Sequence, residues 1–99
     1  MTLSLKGAIK VIRDIWDRKY SAEVCTYRRG NVTIDAGAVE RGVTSCPHCG
    51  ATIGMGMLRV LHRDGRAVSF LVGFLHDVEV GHPIAGVDVD ALVAIVEDE

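Results

Sequence analysis

A chain of 99 residues, 48% hydrophobic and 24% charged, has room for one core and lies well outside the disordered regime. Its formal net charge of −2 argues against a protein whose main business is wrapping nucleic acid. Lys6, Lys10, Arg13 and Asp14 interrupt the N-terminal stretch, which therefore does not read as an export signal, and no apolar run is long enough to span a bilayer.

In chain order, residues 3–20 read as one amphipathic helix. Leu5, Ile9, Ile12, Trp16 and Tyr20 fall on a single stripe, Ala8, Val11 and Ile15 widen it, and Lys6, Lys10, Arg13 and Asp17 occupy the other side. Residues 21–26 and 31–36 predict a first hairpin around Arg28-Arg29-Gly30-Asn31, with Val32 and Ile34 on one face and Thr33 and Asp35 on the other. Residues 37–45 form a loop leading to Cys46-Pro47-His48-Cys49-Gly50. A second hairpin is expected from residues 57–62 and 67–74, with Asp64-Gly65 as a two-residue type I′ turn. That register sets Val60 opposite Ser69, Leu58 opposite Leu71 and Arg59 opposite Phe70, and makes both faces largely apolar. An antiparallel hairpin normally keeps one wet face, so this reading requires something to cover each side. Residues 76–83 suggest a loop or short edge strand. Residues 87–96 fit either a strand, from their β-branched side chains, or a short helix with Asp90 as N-cap. The acidic Glu97, Asp98 and Glu99 sit badly against the negative end of such a helix.

The knuckle carries the most chemistry. In Cys-x-x-Cys with Pro47 after the first Cys and Gly50 after the second, Pro47 pre-sets the entry to a tight turn and Gly50 supplies the positive φ that closes it. Backbone N–H groups in such a turn point at the thiolates and stabilise them as anions, ready to hold a structural Zn2+. Four ligands are needed. Cys46 and Cys49 supply two, Cys25 on the first hairpin is the candidate third, and the fourth is sought among His62, His76 and His82, with His62 taken first. His48 lies at an x position and points away from the ion. The bland alternative makes Cys25 a small core residue and Cys46/Cys49 a surface thiol pair. A redox dithiol is the weaker option, because no βαβ pattern surrounds the motif. Three cysteines in a chain without an export signal fit a reducing, cytoplasmic compartment.

No enzymatic constellation stands out. Catalytic zinc needs an open position and a placed acid or base, and the spacing does not single out Glu79 for that task. No Cys/His/Asn signature accompanies the thiols. Residues 50–56 are glycine-rich but lack the Lys-Ser/Thr ending of a phosphate-binding loop. Arg28, Arg29, Arg63 and Arg66 at the two hairpin tips are candidate contacts for a nucleic acid or a protein partner. Each patch is small enough to position a backbone without reading sequence.

One stretch carries a resemblance. A short amphipathic helix followed by Glu23-Val24-Cys25-Thr26-Tyr27-Arg28-Arg29-Gly30-Asn31-Val32-Thr33-Ile34 resembles the opening of small tailed-phage head–tail joining proteins, in which a helix precedes a T-Y-R-R-G … V-T-V hairpin. It covers about residues 5–42, and the Cys46–Gly50 knuckle is not part of that pattern. The resemblance implies a β-rich virion protein that acts by assembling into a ring at the neck, without catalysis. Trp16, Tyr20, Tyr27, Phe70 and Phe74 are few aromatics for a core, so a metal or an oligomeric partner would help to stabilise it. The sequence therefore predicts an α+β domain over residues 1–99: an N-terminal helix packed on antiparallel hairpins, with a zinc-knuckle turn at 46–49. Its expected work is non-enzymatic assembly with other protein subunits. The alternatives are a zinc-ribbon-like nucleic-acid adaptor and a small regulator that docks on a larger protein.

Overall fold

A computed structural model describes residues 3–16, 26–36 and 43–99. Helix α1 spans Leu5–Trp16 and buries Ala8, Ile9, Ile12, Ile15 and Trp16, the heart of the predicted stripe. Ser4 caps it: its Oγ accepts from the Gly7 N–H at 3.0 Å, and its carbonyl accepts from the Ala8 N–H. The remaining predicted helical positions, 17–20, lie outside the described residues, as does Cys25.

Strands β1 (Thr26–Arg29), β2 (Val32–Asp35), β5 (Met57–His62) and β6 (Ala67–Leu71) form an antiparallel sheet in the order β1-β2-β5-β6. A separate two-stranded ribbon pairs β3 (Val43–Ser45) with β4 (Thr52–Gly54). Val32, Ile34, Leu58, Val60, Val68 and Phe70 are buried on one face of the main sheet. Helix α1 packs against β1 and β2, and helix α3 (Val89–Glu97) against β5, β6 and α1. Helix α2 (Gly73–Val80) lies against α1 and β4. The expected α+β architecture, a helix on antiparallel hairpins, is what forms.

The second hairpin is shifted by one residue from the expected register. Leu58 faces Phe70, Arg59 faces Ser69 and Val60 faces Val68. The turn is the cause. His62 N–H bonds the Arg66 carbonyl and Gly65 N–H bonds the His62 carbonyl, so Arg63, Asp64 and Gly65 make a three-residue connection with Gly65 at φ 103°. A one-residue slip moves every side chain to the other face. In the observed register Leu58, Val60, Val68 and Phe70 go inward together, while Arg59 and Ser69 go outward. The hairpin has one wet face after all, and the need to cover both sides disappears.

Two further expectations change. The strand expected to continue to residue 74 stops at Leu71, and the presumed loop or edge strand at 76–83 is largely helix α2, with Phe74 and Leu75 buried. It is a short helix whose Phe74, Leu75 and partly buried Val78 share one face, while its last residue, the apolar Val80, is exposed. The ambiguous C-terminal segment is helix α3, capped not by Asp90 but by Asp88, whose carboxylate accepts from the Ala91 N–H at 3.1 Å.

The acidic residues after α3 are offset by partners from the hairpin tips. Arg29 grips the Glu99 carboxylate through three contacts of 2.9–3.2 Å, and Arg66 reaches Asp98 at 2.7 Å. Asn31 donates from Nδ2 to the Asp98 carbonyl and from its N–H to the Glu99 carbonyl. Gly30 is required for this clasp: its φ is +58°, and a Cβ there would stand 2.2 Å from the Glu99 carbonyl oxygen. Gly30→Ala is expected to lower stability by about 1–3 kcal/mol, from left-handed strain with a clash added. Urea denaturation would measure the loss. A fall of less than a few tenths of a kcal/mol would show that this contact relaxes freely.

Candidate metal centre

The knuckle is the tip of the β3–β4 ribbon. Ser45 pairs with Thr52, the Cys46 N–H donates to the Ala51 carbonyl at 2.8 Å, and the Gly50 N–H returns to the Cys46 carbonyl at 2.8 Å. Gly50 has φ +72°, as the turn demands. Cys46 is buried, at 2% exposure, and Cys49 is exposed.

Helix α2 brings the other two donors. His76 lies on the helix, and His82 follows immediately after its end. Gly81, in the left-handed region at φ 82°, stops the helix; its N–H and that of His82 share the Asp77 carbonyl, the His82 bond being the 6→1 bond of a Schellman motif and the Gly81 bond the 5→1 bond of an αL cap. This reversal folds the His82 ring back toward the helix that carries His76. The two rings stand 5.5 Å apart between centroids, and the His48 ring lies 5.0 Å from that of His82.

Donor atoms of Cys46, Cys49, His76 and His82 all lie within 4.8 Å of one another. Cys49 Sγ is 3.3 Å from His76 Nε2, and Cys46 Sγ is 3.6 Å from His82 Nδ1. A tetrahedral zinc with ordinary Zn–S and Zn–N bonds separates its ligand atoms by about 3.3–3.8 Å. The donor set, two soft sulfurs and two imidazoles, is that of structural Cys2His2 zinc. Asp77 flanks the group, with Oδ1 3.3 Å from His82 Nδ1. Ile53 of the ribbon rests against Gly73 at the start of α2, where a Cβ would be only 3.0 Å from its Cδ1. That close approach holds the ribbon against the helix. The chain matches no family model, and no curated protein or solved structure is similar to it.

Of the sequence-derived ligand candidates, Cys46 and Cys49 lie in the group, and the third and fourth positions fall to His76 and His82, which the sequence reading ranked behind His62. Cys25 lies outside the described residues. His62 sits on β5 with both ring nitrogens engaged. Nδ1 accepts from the Asp64 N–H at 3.0 Å, and this tautomer leaves Nε2–H to donate to the Asp98 carbonyl at 3.2 Å. A usable clue was present: His76-x5-His82 has the spacing of a paired-histidine ligand arm, and it follows a Cys-x2-Cys.

The hairpin-tip arginines occupy different positions from one another. Arg29 and Arg66 hold Glu99 and Asp98, as described above. Arg28 donates from Nε to the Gly30 carbonyl at 3.4 Å, and the Arg63 N–H joins the two tips through the Asn31 carbonyl at 2.8 Å. Within the second tip, the Arg66 backbone N–H on Asp64 holds that carboxyl below the ordinary aspartate range. The hydrogen bond to Asp98 raises the Arg66 guanidinium above its own. No helix among the described residues is long and apolar enough to cross a membrane.

Proposed function

We propose that this chain is a zinc-pinned, non-enzymatic assembly module. The observation that carries the metal reading is the convergence of four donors from two separated segments, the ribbon tip and the end of α2. All four positions of a tetrahedron are taken by protein, the arrangement of a structural rather than a catalytic ion. Bound there, zinc would fasten a ribbon that has little core of its own: Val43, Thr44 and Ser45 are all exposed.

Assembly with other protein subunits is the work this architecture suits. Exposed Met57, Leu71, Ile84 and Val80 remain on its surface. The neck-ring role implied by the resemblance around Thr26-Tyr27-Arg28-Arg29-Gly30 is the most specific form of the proposal. Nucleic acid is a poorer fit, since two of the four tip arginines already neutralise acidic groups of the same chain.

The metal half of the proposal has a direct test. Reduced, zinc-loaded protein should carry one ion per chain by elemental analysis. Cobalt in its place should give the absorption of a tetrahedral site with two thiolates. His76→Ala and His82→Ala are expected to weaken binding by orders of magnitude, and His62→Ala to leave it unchanged. Undiminished binding in both His76 and His82 variants would refute the ligand set.

A further inference from the structure

The four donors are divided by segment. Both sulfurs, Cys46 and Cys49, belong to the ribbon tip, and both imidazoles, His76 and His82, belong to α2 and its cap. Oxidation of sulfur therefore acts on one half of the site alone. With one cysteine in each segment, a disulfide would replace the metal by a covalent tie between ribbon and helix. Here both thiols sit in a single turn, closed by the Gly50 N–H on the Cys46 carbonyl at 2.8 Å. A disulfide between them ties the ribbon only to itself.

The two sulfurs also differ in access. Cys46 is 2% exposed, whereas Cys49 is exposed at the tip. An oxidant in solvent meets Cys49 first, and Cys46 lies beneath it with the two sulfurs within 4.8 Å. Rotation of the Cys49 side chain brings the pair to bonding distance without a change of backbone path. Accessible thiolate beside a second, resolving thiol is the arrangement of oxidant-responsive cysteines.

We infer that the metal centre is a peroxide-operated release switch, in which Cys49 is oxidised, Cys46 resolves it and the ion departs. This inference rests on the metal reading proposed above. In the first step the Cys49 thiolate attacks one oxygen of hydrogen peroxide. An S–O bond forms, the O–O bond breaks, and the departing hydroxide takes a proton from solvent to become water. In the second step the Cys46 thiolate attacks the Cys49 sulfur. The S–S bond forms, the S–O bond breaks, and the second hydroxide leaves and is protonated in the same way. Two electrons pass from the sulfur pair to the peroxide, which ends as two waters. The disulfide offers no thiolate to a metal, so only the two imidazoles remain and Zn2+ dissociates. A dithiol reductant restores the thiolates by exchange.

The change reaches the surface. Pro47 lies between the two cysteines and Pro83 directly follows His82; both line a mostly apolar cavity of about 440 Å³ together with Met57, Leu71 and Ile84. Those last three are exposed apolar residues named above for assembly, so release of the ribbon reshapes the face offered to a partner.

The test uses zinc-loaded, reduced full-length chain treated with equimolar hydrogen peroxide. Free zinc is followed with a chromophoric chelator, and the thiols by intact mass and peptide mapping. Zinc release should keep step with the loss of two hydrogens, and the disulfide should map to Cys46–Cys49. Dimedone, which traps sulfenic acid, should label Cys49 and not Cys46. Amide exchange at residues 44–53 should rise to the level of the chelated protein, while Ile34 and Val60 stay protected. Reductant and zinc should then restore one ion per chain. Cys25→Ser should respond as the parent does. Zinc retained through complete thiol oxidation overturns the switch and leaves the metal reading standing. Zinc lost with a disulfide to Cys25, or with sulfinic acid in place of a disulfide, does the same, as does dimedone on Cys46. A reduced chain that holds no zinc before peroxide is added overturns both.

Discussion

Cys46→Ala is expected to cost more than about 4 kcal/mol of stability in the zinc-loaded protein, the scale reserved for loss of a metal or an equivalent cross-link. The reason is local. The ribbon bearing the ligand has two strands of three residues, and all of β3 is exposed. Its attachments include Ile53 against Gly73 and the four-donor cluster. A two-stranded hairpin of this length is not stable in water by itself. Removing one thiolate leaves three ligands, and the ribbon should open together with the segment after His82.

Two measurements check this. Thermal melts with and without chelator should show the parent falling to the level of Cys46→Ala, and chelator should add nothing in the variant. Amide exchange should show faster exchange at residues 44–53, while Ile34 and Val60 in the sheet stay protected. A variant as stable as the parent, or one that chelator destabilises further, would contradict the proposed site.

Leu92→Ala carries the second large effect. Leu92 is fully buried on α3, the helix that packs against α1, β5 and β6. Truncation removes apolar burial and opens a cavity among Ile, Leu and Val neighbours that hold their places, at about 2–5 kcal/mol. A chain of this size has about 5–15 kcal/mol in all. Urea melts should show a lower midpoint at unchanged slope, because the same surface is exposed on unfolding. Zinc stoichiometry in the folded variant should be unaltered, since Leu92 is not one of the clustered donors. A cost under 1 kcal/mol would mean that α3 is not part of the core.

Much of this was legible beforehand, for identifiable reasons. The α1 stripe and the alternation Val32-Thr33-Ile34-Asp35 are direct projections of helical and strand periods onto buried faces. The knuckle is a local turn, so its residues declare themselves. The register of the β5–β6 hairpin was not, because Asp64-Gly65 serves a two-residue or a three-residue turn equally well. Only inward burial of Leu58, Val60, Val68 and Phe70 together decides between them. That criterion was available in the sequence, where the register of a two-residue turn creates the improbable two-sided apolar hairpin. Helix α2 was hidden because it is only eight residues long and its exposed Val80 makes Val78-Glu79-Val80 alternate in the manner of a strand. With the helix went the recognition that His76 and His82 belong to one structural element and its cap.

The placement of the four donors along the chain also has a kinetic meaning. Cys46 and Cys49 precede the β5–β6 hairpin, whereas His76 and His82 follow it. An ion held by both pairs is a cross-link around a long stretch of polypeptide, and it can close only after that stretch has found its native path. Contacts made after the rate-limiting barrier slow escape from the native state and leave the speed of reaching it unchanged. Zinc in this fold would thus act as a late latch: chains with and without it would fold at similar rates, and those that capture it would far outlast the others against a protease.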